Sequence, residues 1–259
     1  MTEFFQDFLS IGQDGLLIIA TAILPVLFPF FVLTSLILNL TAVAHPWLVS
    51  LLAYCSGYPN GARLTKDLYQ QQRINLSQAR QLLITTSTPS PIFVIATVGV
   101  VFLRNIKLGC VIFICAVITA IINGWLWSPK HCKCYPAMIN QTTSKSSNLF
   151  SLTFSNALTS ATTAIVNVCG VILFFYIFSN MFYLPTFLAG LLEMTTGVAA
   201  TANPYLIQFF VTFGGFSVAM QQQIFMQDFQ IKFCHYLVFK FTHAILACGV
   251  LAFYLLFLD

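Results

Sequence analysis

An all-α polytopic membrane protein is the fold class this sequence predicts, and three observations carry the prediction. Apolar residues make up 58% of the 259-residue chain and charged ones only 7%, against about a quarter charged in a soluble domain. The apolar residues gather into runs near the ~20 residues that cross a bilayer's hydrocarbon core. Gly and Pro interrupt several runs at matching places in the two halves, in "SGYPNG", "TPSP", "TTG" (Thr195 to Gly197) and "FGG". The pattern is that of about six transmembrane helices in two inverted repeats, each with a re-entrant or broken helix.

Eleven Lys/Arg against seven Asp/Glu give a net charge of +4. The basic residues are sparse and lie between apolar runs, so they mark topology and not a nucleic-acid footprint. The bilayer is the expected partner, and no nucleic acid. Of eight cysteines, Cys110, Cys115, Cys169 and Cys248 sit within apolar segments as small hydrophobes. The run "HCKC" at 131–134 lacks a second ligand pair at zinc spacing and reads as a loop with reduced thiols. No metal and no cofactor is expected.

The first repeat covers 1–130. Its first span is 15–40. The N-terminus carries Glu3, Asp7 and Asp14 with no basic region, and the apolar run is too long for a secretory leader. Pro25 and Pro29 kink the span. A re-entrant hairpin follows at 45–62, too short to cross and ending in turn residues, and then a polar cytoplasmic helical excursion. The next span, 79–104, contains "TSTPSP". The apolar residues after it reach only about 18 Å at 1.5 Å each, so this helix starts near Ser77 and breaks at Pro89-Ser90-Pro91. A helix at 107–127 completes the repeat.

Residues 131–160 form a cytoplasmic connecting loop, and the second repeat covers 161–259. It repeats the order: a helix at 161–182, a re-entrant hairpin at 184–200, a helix at 203–225 broken at Gly214-Gly215, and a last helix at 235–257. Arg63, Lys66, Arg73, Arg80, Lys130, Lys133, Lys145 and Lys232 fall on one side if both termini are outside; only Arg104 and Lys107 oppose. The positive-inside rule therefore predicts N-out and C-out.

Non-helical backbone survives at membrane depth only where protein or a wet cavity surrounds it, so the interruptions are the candidate substrate site. The first hairpin contributes Ser56, Gly57, Tyr58, Pro59, Asn60 and Gly61, and the first broken helix Thr86, Ser87, Ser90 and Pro91. From the second half come Glu193, Thr195, Thr196 and Gly197, then Gly214, Gly215 and Ser217. Half-helix N-termini suit a small anionic metabolite, while freed carbonyls suit a coupling Na⁺ or a proton carrier. Glu193 is the only carboxylate within the apolar body, a costly position that points to function; the other reading is a structural Glu, protonated or hydrogen-bonded, on the second hairpin. Arg63 is the other candidate charge partner, and reads as readily as a cytoplasmic anchor. His235, His243 and Lys240, near the start of the last span, read as snorkelling or packing residues. No nucleophile–base pair, phosphate loop or metal-ligand set appears, so an enzyme is not expected.

Four stretches resemble a known family, the sporulation integral membrane proteins of the YlbJ/SpoVV type, which belong with the nucleoside-recognition Gate-domain proteins. They are "ILPVLFPFFVLTSLI", "SGYPNGARLTKDLYQQQRINLSQARQLL", "STPSPIFVIATVGVVFL", and "GLLEMTTGV" with "FGGFSV". The resemblance implies a transporter-like membrane protein that moves dipicolinic acid (pyridine-2,6-dicarboxylate) across the outer forespore membrane during spore maturation. This chain departs from the family pattern at "TPSP" and at Arg63, where a Lys is the rule. Two other readings stay open: a carrier of a nucleoside or other neutral metabolite, and a non-transporting assembly or signalling protein of sporulation.

Overall fold

The computed structural model describes residues 2–40, 46–127, 149–182 and 184–257. These are helical throughout, with short breaks and no strand among them. The "HCKC" run, Lys130, Lys133 and Lys145 lie outside the described residues.

The first helix begins earlier than the hydropathy suggests. Helix α1 (Thr2–Ile18) passes through a π-helical turn (Ile19–Ile23) directly into α2 (Leu24–Leu40). Pro29 lies inside α2, and the wide turn falls just ahead of Pro25, where a ring without an N–H disrupts the regular ladder. Helices α3 (Pro46–Ser56) and α4 (Asn60–Gln70) form the first broken element, separated by residues 57–59. Helix α5 (Leu76–Thr86) opens with a capping box: Gln78 N–H donates to Asn75 Oδ1, and Asn75 N–H to Gln78 Oε1, each at 2.9 Å. It stops at Ser87, and after Pro91 the chain resumes as a π-helix (Ile92–Phe102) before α6 (Ile106–Trp127). The predicted break at Pro-Ser-Pro is where the helix is broken.

Helix α7 (Leu149–Met181) extends twelve residues into the stretch predicted as loop. Helices α8 (Thr186–Leu192) and α9 (Met194–Ala199) meet at Glu193, two residues before the predicted interruption. Helix α10 (Pro204–Phe213) starts on an Asn203 cap with Pro at its first position, and α11 (Gly215–Met226) follows across Gly214. Helix α12 (Phe233–Phe257) ends the description.

Among the described residues three helices are long and apolar enough to cross a membrane: Ile106–Trp127, Ser151–Met181 and Phe233–Phe257. Their outward faces carry Ile114, Ile118, Trp125, Val166, Phe174, Phe241, Ile245 and Phe253, all exposed. The interior holds Asn123, Gln208, Gln222, Lys240 and His243. An apolar exterior around an interior that buries several polar side chains among apolar ones suits a lipid surround.

Helix α2 packs on α7, and α6 on α12; α10 and the π-helix flank the second pair, while α11 bridges to α4 and α7. One apolar cluster gathers Phe31, Leu64, Leu83, Ile165, Phe229 and Phe239, and another Val94, Ile112, Ile207, Phe210 and Leu251. The breaks lie between them.

Candidate functional site

Breaking a helix frees carbonyls that an unbroken ladder would satisfy, and here they find partners from other elements. At the end of α5, Thr85 O accepts from the Tyr54 hydroxyl at 2.9 Å and Thr86 O from Thr88 N–H at 2.9 Å. Ser87 O accepts from Lys240 Nζ at 2.9 Å, and Thr88 O from Tyr58 N–H at 2.8 Å. Across the molecule, the Tyr58 hydroxyl donates to Val211 O, one turn before the Gly214 break, at 2.8 Å, with Met194 Sδ also 2.8 Å away. The break in the first half and the one in the second are therefore tied together through Tyr58.

Glycine is required at two of these turns. Gly57 sits at φ +71° with its Cα against Ser90, and Gly214 and Gly215 at +82° and +74°; residues with a Cβ rarely adopt that region.

A cavity of about 590 Å³ opens beside the breaks, within the range of small-molecule sites. It brings together Tyr58, Ser90, Glu193, Thr195 and Thr196 of the predicted set, from both halves of the chain. Glu193 is 3% exposed and caps α9. Its Oε2 accepts from Thr196 N–H at 2.8 Å, from Thr196 Oγ1 at 3.1 Å and from Thr195 Oγ1. Among the described residues Glu193 is the only charged one in the cavity wall; Tyr176, Asn180 and Gln221 add polar groups that the sequence did not single out.

Other predicted residues serve packing. Ser56 Oγ donates to Leu52 O at 2.7 Å and accepts from Asn60 Nδ2, which also donates to Thr34 Oγ1. Gly61 lets α4 close on Thr86, and Gly197 lets α9 close on Gly190 and Phe210. Pro59 and Pro91 each precede a helical start, and the Tyr58–Pro59 peptide is cis. Ser217 Oγ accepts from Gln221 Nε2 at 3.2 Å, one residue behind the wall.

Arg63 does not reach the cavity. It is 2% exposed, its guanidinium donates to Phe31 O at 2.9 Å and to Ser35 Oγ, and it lies 5.1 Å over the Phe31 ring. Its partners on α2 and α7 make it a buried bridge between helices and not a side chain at a surface. Lys240 differs from expectation in the opposite sense: it does not snorkel, but is 1% exposed with its Nζ on Ser87 O. Ser87 Oγ meanwhile accepts from Gln222 Nε2 at 2.7 Å and pairs with the Tyr236 hydroxyl at 2.8 Å. Tyr236, Lys240 and His243 recur at helical spacing on one face of α12, which is the signal that was available.

No family model matches the chain, and no solved structure matches it. The chain is similar to the sporulation integral membrane protein YlbJ of Bacillus subtilis (strain 168), at 28% identity over 116 residues. The alignment covers 38% of this chain and 28% of that relative, so the chain spans well under a third of the relative's length. The relative carries the name of the family that the four motif stretches resemble.

Proposed function

We propose that the chain is a multi-pass membrane carrier or facilitator of a small anionic metabolite, with dipicolinate during spore maturation as the substrate that the resemblance implies. The observation that carries the reading is the cavity of about 590 Å³ walled by backbone breaks from both halves of the chain. The similarity to a sporulation integral membrane protein supports a role in that setting, in the bacterial cell membrane or the outer forespore membrane. Pairing of like with like, α2 on α7 and α6 on α12, is what two inverted repeats of three spans each produce about a pseudo-two-fold axis. In that arrangement both termini lie outside, and Glu193 handles the coupling ion, H⁺ or Na⁺.

One observation favours the second reading, a neutral metabolite such as a nucleoside. Among the described residues the only charged group in the wall is an acid, and a carboxylate repels an anion unless a proton, a metal cation or a basic group offsets it. Flux of radiolabelled dipicolinate into liposomes holding the purified protein, with uridine as competitor, separates the two. Saturable dipicolinate uptake that uridine does not inhibit supports the anion carrier. Uridine uptake without dipicolinate uptake moves the assignment to the neutral carrier, and silence on both in folded protein sinks transport altogether.

A further inference from the structure

The charge that an anion would need is present, one residue behind the wall. Among the described residues Lys240 is buried, with no carboxylate within 4 Å. Its Nζ makes one hydrogen bond, to Ser87 O at 2.9 Å, and lies 5.3 Å from the centre of the Tyr58 ring. An ammonium has three N–H donors. One goes to the carbonyl and one to the ring face, so a third has no acceptor among the described residues. A buried ammonium held by one carbonyl and a ring is under-compensated, since removal from water costs several kcal/mol unless an opposite charge answers it.

The surroundings fit an anionic group. Gln222 Nε2 donates to Ser87 Oγ, which also pairs with the Tyr236 hydroxyl, and Thr88 Oγ1, buried next to Ser87 in the chain, has no hydrogen-bond partner among the described residues. Tyr58 belongs both to the cavity wall and to the contacts of Lys240.

We propose that Lys240, with Ser87, Tyr236 and Gln222 around it, is a carboxylate-binding subsite that Tyr58 closes off from the cavity. The proposal rests on the small-molecule carrier reading and assigns the counter-charge that its wall lacks. Glu193 and Lys240 then divide the work: the acid faces the coupling ion, and the base takes the carboxylate.

The test is binding of pyridine-2,6-dicarboxylate, benzoate and acetate to the full chain in detergent at constant ionic strength, read by thermal unfolding and by titration. The uncharged pyridine-2,6-dicarboxamide is the control. A hydrogen bond to a charged group sets the expected scale, about tenfold or more in dissociation constant. Lys240→Met weakens carboxylate binding by at least that much and leaves the dicarboxamide unchanged, while Lys240→Arg stays within about threefold of wild type. Equal carboxylate affinity in wild type and Lys240→Met, or no carboxylate binding to the wild-type chain, overturns the subsite.

Should Lys240→Met not fold, Tyr58→Ala keeps the ammonium and removes the ring over it. It tightens carboxylate binding several-fold, and unchanged affinity overturns the proposal as well. Failure of the carrier reading is distinguishable: Lys240-dependent binding without flux removes transport and keeps the subsite. Dipicolinate flux undiminished by Lys240→Met does the reverse.

Discussion

The hydroxyl of Tyr58 donates to the carbonyl of Val211 at 2.8 Å, joining residues 153 positions apart in the chain. Each belongs to an interrupted helix: Tyr58 to the turn between α3 and α4, Val211 to the last turn of α10. One side chain thus satisfies the backbone that the other break exposes, and neither interruption is self-sufficient. Non-helical backbone inside a membrane protein requires this kind of mutual support.

Tyr58→Phe removes that donor and keeps the ring over Lys240. The carbonyl of Val211 is then buried without a partner, which costs about 1–3 kcal/mol. Chemical denaturation in detergent reads the loss directly. A change below about 0.5 kcal/mol means that the carbonyl finds water or another donor, and the link between the breaks is weaker than the geometry implies.

Glycine substitutions separate backbone strain from simple crowding. Gly57→Ala meets both, because φ is +71° and a Cβ would stand 2.7 Å from Ser90 Cα. The conformation alone costs about 1–2 kcal/mol, and the backbone clash adds to it. Gly170→Ala, in the middle of α7 with nothing within 4 Å of the new carbon, is neutral or stabilising by up to about 1 kcal/mol. Equal melting temperatures for the two variants would show that the 57–59 turn relaxes freely.

These turns were legible in the sequence because Gly and Pro act on the backbone itself. Pro-Ser-Pro and Gly214-Gly215 weaken a helix at fixed places in the chain, and α5 and α10 end beside them, at Thr86 and Phe213. Glu193 was legible as an intramembrane acid, but not as the extended residue between α8 and α9. Nothing in "GLLEMTTG" distinguishes a Glu that caps a helix from one that lies within it. The early start of α1 was hidden by Glu3, Asp7 and Asp14, which lower the hydropathy without stopping a helix. Lys240 was the least legible, since its partner Ser87 is 153 residues away and only the fold brings them together. Its spacing with Tyr236 and His243 shows a polar face on an apolar helix, but not what that face meets.

Glu193 caps α9, and two substitutions divide that role from the coupling role proposed for it. As a cap, its Oε2 takes three donors from Thr195 and Thr196. Glu193→Gln keeps an acceptor there and costs less than about 1 kcal/mol, whereas Glu193→Ala loses the cap at about 0.5–2 kcal/mol. As a coupling group, only the charge matters, so Glu193→Gln abolishes ion-dependent uptake in liposomes while leaving the melting temperature near wild type. Undiminished coupled uptake in Glu193→Gln restricts the residue to capping α9.

Arg63 provides the opposite case, a buried charge whose work is structural. Its guanidinium bridges α4 to α2 through Phe31 O and Ser35 Oγ and reaches Ser160 Oγ of α7 at 3.3 Å. The ion pair to Asp67 is loose, at 3.9 Å, and Asp67 is partly exposed, so Asp67→Asn costs under about 1 kcal/mol. Arg63→Met removes the donor shared by Phe31 O, Ser35 Oγ, Asn60 Oδ1 and Ser160 Oγ and costs about 3–5 kcal/mol, the scale for breaking a buried charged network. Arg63→Lys restores the charge but not the planar fork that spans two helices, and recovers less than half of that loss. Binding constants for pyridine-2,6-dicarboxylate in folded Arg63→Lys stay at the wild-type level, because the side chain does not touch the cavity. A tenfold weaker constant in a variant of unchanged stability would return Arg63 to the substrate site.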